Sequence, residues 1–174
     1  MGTWNIDPSH SEVKFKVKHL VISTVTGHFS KFNATIDGNV EDLTKARMSF
    51  DADVESIDTK NAQRDGHLKS ADFFDAGNYP KLTFTAKDVT RSGDQEYKVT
   101  GDLTIRGTTK PVTLNATYNG AAKGFGGVDV TAFEISGKLN RRDFGLAWNG
   151  LTEAGGVVVS DEVKLEIFAE FNKA

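Results

Sequence analysis

The chain contains no cysteine. Disulfide scaffolds, thiolate metal sites and cysteine nucleophiles are thereby excluded. Proline and methionine are scarce, at three and two residues, against twelve phenylalanines and seventeen glycines. That balance favours sheets joined by tight turns. No apolar run is long enough to span a bilayer, so this is not an integral membrane protein of the helical kind. The opening residues, MGTWNIDPSH, have neither the basic region nor the apolar stretch of a secretory leader. A cytoplasmic location is the expectation; a secreted protein trimmed of its leader would read the same way. Both signs of charge are mixed along the chain and the net charge is −3. There is accordingly no basic patch to attract nucleic acid. The 174 residues suit one domain spanning 1–174 with a sizeable core.

What the chain has in abundance is apolar/polar alternation of period two, the mark of strands with one face in water. Trp4–His10 reads as a lead-in with a turn at Asp7-Pro8. Ser11–Leu20 places Val13, Phe15, Val17 and His19 on one face and Glu12, Lys14, Lys16 and Lys18 on the other. A second strand spans Val25–Asp37, with a parity switch that predicts a bulge near Ser30-Lys31. The third covers Ala46–Ile57, with Met48, Phe50, Ala52 and Val54 inward. Strands four to eight follow at Lys81–Lys87, Glu96–Arg106, Pro111–Tyr118, Val128–Leu139 and Asp161–Phe171. A second parity slip falls between Ala132 and Phe133. The stretch Asn61–Phe84 begins differently: Thr59 or Asn61 can cap a helix over Asn61–Ser70. Gly66 costs that helix about 1 kcal/mol relative to Ala, so it must lean on Leu68, Ala71, Phe73 and Phe74. The fold expected is all-β: an eight-stranded antiparallel up-and-down barrel with a short helix between strands three and four.

Two consequences follow from that order. Connections after strands one, three, five and seven share one end, and the two longest connections are among them. That end reads as a lid and the other as a base, plugged in part by Trp4–His10. Seven strands also carry a Gly or Ala on the inner face: Ala34, Ala52, Ala86, Gly101, Ala116, Gly137 and Ala169. Small inner residues leave room for a ligand, although they also suit the taper of a filled barrel. An apolar cavity binds by area, at about 0.8 kcal/mol per buried methylene against about 1 for a neutral hydrogen bond. A hydrocarbon tail would dominate affinity, and residues at the mouth would select the head group.

Chemistry-bearing constellations are sparse. His10, His19, His28 and His67 show no metal-type spacing. Asp72 and Asp75 read as turn caps, Glu153 stands alone, and no nucleophile elbow or Ser/His/Asp arrangement occurs. Arg64, Arg141, Arg142 and Lys110 belong to the lid end, where they suit either an anionic or carbonyl head group or structural ion pairs.

Taken together, W-N-I-D-P-S-H-S-E-V-K-F-K-V-K-H at Trp4–His19, G-H-F at Gly27–Phe29 and R-D-G-H-L-K-S-A-D-F-F-D at Arg64–Asp75 form a specific pattern. Y-P-K-L-T-F at Tyr79–Phe84, G-D-L-T-I-R-G at Gly101–Gly107 and R-D-F-G at Arg142–Gly145 extend it. Over nearly the whole chain it resembles the YceI-like, or polyisoprenoid-binding, family. The resemblance implies a lipocalin-like barrel enclosing a long isoprenoid or other amphiphilic lipid, with no established catalytic residues. Members of the family are often periplasmic or secreted, and the chain departs from them in lacking a leader.

The resulting expectation is a non-enzymatic carrier or store of a long-chain lipid: a polyisoprenoid, an isoprenoid quinone or a fatty-type lipid. No cofactor is called for beyond that lipid. The expected wall is Phe15, Val17, Phe50, Ala52, Leu103, Ile135 and Ile167; the expected rim is His19, Arg64, His67, Phe74 and Trp148. The alternative is an enzyme acting on a lipophilic substrate in the same cavity, with His19 or His67 as general base. A homodimer and transient membrane contact are both compatible with the sequence.

Overall fold

Period-two alternation gives each strand one apolar face, and the sheet buries those faces by closing on itself. The computed structural model describes residues 2–149 and 158–174. Its strands are β1 (Gly2–Ile6), β2 (Glu12–His19), β3 (Ser23–Phe29), β4 (Phe32–Gly38), β5 (Arg47–Asp53), β6 (Ile57–Asp58), β7 (Lys81–Gly93), β8 (Glu96–Ile105), β9 (Thr108–Lys123), β10 (Asp129–Asn140) and β11 (Glu162–Lys173). One α-helix, α1 (Ala62–Lys69), follows β6. All pairings are antiparallel, and β1 closes the ring by pairing with β4 on one side and β11 on the other.

The eleven segments make an eight-stranded barrel because three neighbouring strands are each broken once. Both β1 and β2 lie along the same edge of β11, β1 against Phe171–Lys173 and β2 against Lys164–Phe168. A 3-10 turn at Pro8–His10 separates them. The second break divides β3, which pairs with β2 and β6, from β4, which pairs with β1 and β5. The third is the 3-10 turn Val54–Ser56 between β5 and β6. Adjacent breaks are laced together: Ser30 N–H donates to Ser56 O at 3.3 Å and Asp53 N–H to Lys31 O at 2.9 Å.

Several sequence expectations are corrected here. Trp4–His10 is not a lead-in; its first half is the strand that closes the barrel. Ser30-Lys31 is a full strand break, since the two halves pair with different partners. The Ala132 slip is a register shift between Thr131 and Phe133, as the parity change predicted. Strands β7 and β9 run on to Gly93 and Lys123, beyond the expected Lys87 and Tyr118. The register shift between Ala86 and Asp88 turns Val89 inward, which simple alternation hides.

The connections after β2, β6, β8 and β10 do meet at one end. Leu20 N–H donates to Val158 O at 2.9 Å, Arg106 Nη1 to Gly145 O at 3.0 Å, and the His67 ring lies 4.7 Å from that of Trp148. At the other end Trp4 and Ile6 fill the base from the wall. The plug itself is the β4–β5 connection, whose Val40 and Leu43 are buried there; Tyr97, also buried, donates its hydroxyl to Glu41 O at 3.1 Å.

The inner glycines are occupied, not empty. A Cβ on Gly101 would lie 2.3 Å from Thr85 O and 2.7 Å from Phe84 Cζ. On Gly137 it would lie 2.6 Å from Leu114 Cδ2, and on Gly27 2.1 Å from Phe15 Cζ. Large neighbours fold over these positions, so the glycines make tight wall rather than space. The small residues that border open interior are Ala34, Ala116 and Ala169.

Gly101→Ala sets a methyl against backbone that cannot yield, and should destabilise by about 1–3 kcal/mol in denaturant unfolding. Gly66→Ala, with nothing within 4 Å of its new methyl, should stabilise α1 by about 0.5–1 kcal/mol. The joint between β1 and β2 should also respond to pH. Asp7 accepts from Ser9 Oγ at 2.6 Å and pairs with His10 Nδ1 at 2.8 Å, which lowers its carboxyl from 3.8 to about 2. A depressed folded pKa means stability present above about pH 4 and lost as pH falls through about 2. Asp7→Asn should therefore unfold more readily than the parent near neutrality, with the difference closing across that acid window.

Candidate functional site

Between the base cluster around Leu43, Tyr97 and Phe133 and the lid cluster around Val54, Phe73 and Phe144 lies a cavity of about 410 Å³. It lies within the size range of small-molecule sites. The barrel wall contributes hydrocarbon almost throughout, for example Phe50, Phe84, Leu103, Ile135 and Ile167. Side chains with nitrogen or hydroxyl groups gather along its lid end, among them Lys18, His19, Thr59, Arg64, His67, Arg141 and Trp148. The arrangement offers shape and area along the shaft, and hydrogen bonding at the mouth.

The lid is built from local rules. Asn61 caps α1 by accepting from Arg64 N–H at 3.0 Å. The helix buries none of its residues and is held by polar ties to the chain before it. Arg64 Nε donates to Thr59 Oγ1 at 2.8 Å and Nη2 to Thr59 O at 2.6 Å, while Asp65 accepts from Thr59 N–H at 2.9 Å. Behind the helix, Phe73 is buried and Phe74 packs edge-on to Phe29, ring centres 6.2 Å apart. His67 stands in an aromatic corner, 5.1 Å from Phe73 and 4.7 Å from Trp148, with Nε2 held 2.8 Å from Asp72 Oδ2.

Arg141 organises the opposite side of the mouth. It is only 4% exposed. Nε donates to Ser160 O at 2.9 Å and Nη1 to Trp148 O at 2.7 Å and to Leu146 O; Nη2 reaches Val159 O and Asp161. Burial lowers its pKa, with Asp161 pulling the other way. A planar fork with five donors is what a loop rich in inward carbonyls requires.

Every residue expected at the wall or rim borders the cavity except Ala52. Ala52 is fully buried in the lid cluster and packs the wall from within. Phe15, Val17, His19, Phe50, Arg64, His67, Phe74, Leu103, Ile135, Trp148 and Ile167 are brought together. Of the four lid-end cations, Arg64 and Arg141 line the cavity; Arg142 pairs outside with Asp161 at 2.7 Å, and Lys110 is exposed on β9. Glu153 lies outside the described residues. The sequence signalled Arg141 only as a charge; that carbonyls would converge on it depends on a loop fold that no local pattern announces. Among the described residues the one grouping of possible metal donors is Asp7, His10 and Glu170, on the outer wall at the β1–β2 joint.

A family model described as YceI-like domain matches residues 4–171. The chain belongs to the YceI-like family. A relative from Staphylococcus epidermidis, UPF0312 protein SERP2314, is 40% identical over 99% of this chain and 98% of its own. The solved structure of a YCEI protein from Campylobacter jejuni is 34% identical, covers 90% of each chain and superposes with a TM-score of 0.77. A domain from Saccharophagus degradans, described as polyisoprenoid binding and implicated in plant cell wall breakdown, shares the fold: TM-score 0.67, 15% identity, 98% coverage of each chain. The barrel fold is thus shared with both solved structures.

The keystone role of Arg141 is directly testable. Arg141→Met leaves buried carbonyls without donors, at about 1–3 kcal/mol each where no water replaces the bond. We expect a loss of several kcal/mol in thermal or denaturant unfolding, and a red-shifted Trp148 emission in a Trp4→Phe background.

Proposed function

We propose that the protein binds one long-chain apolar or amphiphilic lipid inside the barrel and acts as its carrier or store. A polyisoprenoid or isoprenoid quinone is the class that fits best. The single observation that carries this reading is the hydrocarbon-lined cavity of about 410 Å³ beneath a polar mouth. Dry apolar space of this size attracts apolar ligands in preference to water. A run of ten buried methylenes contributes about 8 kcal/mol before the entropic cost of ordering the tail. Membership of the YceI-like family, and a fold shared with a domain described as polyisoprenoid binding, favour the same class of ligand.

In this reading the wall residues hold the tail, and His19, Arg64 and His67 meet the head group. The reading is non-enzymatic. The His67 ring is already held by Asp72, and the nearby Ser23 and Ser70 hydroxyls donate to the backbone oxygens of His19 and His67, not to their rings. A His19→Ala/His67→Ala double variant should keep its lipid, because the tail dominates affinity; an enzyme would be exposed by a turnover of its substrate that the double variant loses.

The test is a binding series with fluorescent probes of increasing prenyl or alkyl tail length. Affinity should rise about fourfold per added methylene until the cavity is full, then level off. Ala116→Leu narrows the shaft and should bring the plateau at a shorter tail. Affinity indifferent to tail length would remove the basis for a lipid function.

A further inference from the structure

The turn between β2 and β3 is built against the ordinary rules. It is Leu20-Val21-Ile22, closed by Ile22 N–H donating to His19 O at 3.3 Å. Leu20 and Val21 both adopt left-handed backbone, φ 53° and 66°. Hairpins normally place Asn or Gly in such positions, and a β-branched residue there is strained. These residues are also the wrong polarity for an exposed turn: Val21 is 74% and Ile22 86% exposed, with Leu20 at 39%. Strain kept at an exposed site points to a role in binding.

The tip stands at the cavity mouth. Its flanking residues His19 and Val25 line the cavity, as do Val158 and Val159, to which Leu20 and His19 are paired. Trp148, another exposed apolar residue, borders the same mouth. Lys18 lies one residue before His19 and is exposed; its Nζ donates to Thr24 Oγ1 at 3.1 Å, and among the described residues it has no carboxylate partner.

We propose that Leu20-Val21-Ile22 is a membrane-docking tip that inserts into the outer layer of a lipid bilayer and sets the cavity mouth against it. This rests on the lipid-carrier reading for its purpose, since a carrier must meet the phase its cargo comes from. Bilayer is favoured over a second copy or another protein by size. A specific protein interface needs about 800 Å² from each partner, which three side chains on a turn do not supply. Insertion needs no complementary surface. Apolar residues with a neighbouring lysine suit an interface whose head groups are anionic.

The experiment uses the full chain and vesicles of phosphatidylcholine, with and without phosphatidylglycerol, in a sedimentation assay. Val21→Asn/Ile22→Ser removes the apolar tip while giving the left-handed position a residue that tolerates it, so thermal stability should hold or rise. Phe125→Ser removes another strongly exposed apolar side chain, at the base end. The parent should partition to vesicles, more strongly with phosphatidylglycerol. The tip variant should partition at least about tenfold more weakly, and Phe125→Ser should match the parent. Trp148 emission, in the Trp4→Phe background, should shift to the blue on vesicle addition for the parent and for Phe125→Ser, and not for the tip variant. Bound lipid in organic extracts of purified protein should be equal in parent and tip variant. Equal partitioning of parent and tip variant, no partitioning by the parent, or an equal loss in Phe125→Ser would each overturn the proposal. Loss of vesicle binding on tip substitution in a protein that never carries lipid would uphold the tip and defeat the carrier reading instead.

Discussion

Closure of the sheet is the constraint from which the rest follows. Strand β1 hydrogen-bonds to β4 and β11 at once, which closes the twisted sheet into a ring and fixes the girth of the barrel. Once the girth is set, the interior must be filled by side chains, by water or by a ligand. Trp4, Leu43, Tyr97 and Phe133 fill the base, and Phe73, Phe144 and Leu146 fill under the lid. Between them the wall presents alanines at 34, 116 and 169, and the space they leave is too apolar to be a comfortable home for water.

Much of this was legible in the chain. Alternation identifies which residues face inward, and the order of long and short connections identifies the lid end, because both are consequences of local geometry. What was hidden depends on long-range pairing. Nothing around Trp4 says that five residues close a barrel, since that depends on the C-terminal strand coming alongside. The break at Ser30-Lys31 reads as a bulge until its halves are seen to take different partners. The inner glycines carried the volume argument in sequence, yet Phe84, Leu114 and Phe15 fold over Gly101, Gly137 and Gly27. A missing side chain on one strand is room for a large one on the next, and only the register tells which.

The mouth follows different rules from the shaft. Its shape is held by a set of polar ties: Arg64 on Thr59, His67 on Asp72, and Arg141 on the carbonyls of the β10–β11 loop. Each of these ties lies within one connection, from Thr59 to Asp72 or from Arg141 to Ser160. The strained apolar turn at Leu20-Val21-Ile22 belongs to the same region. Departures from ideal turn chemistry are thus concentrated where a ligand would enter, with positive φ at Leu20, Val21, Lys60, Asp75 and Arg106.

The central claim is that the closed sheet surrounds space its own side chains do not fill, and that a lipid fills it. Native mass spectrometry of freshly purified protein tests this most directly, because it weighs the chain together with whatever it holds. The account predicts one adduct of lipid mass per chain, released by organic solvent to leave the mass of the polypeptide. A bare polypeptide mass from protein purified without detergent, unchanged after incubation with long-chain prenyl lipids, would contradict it.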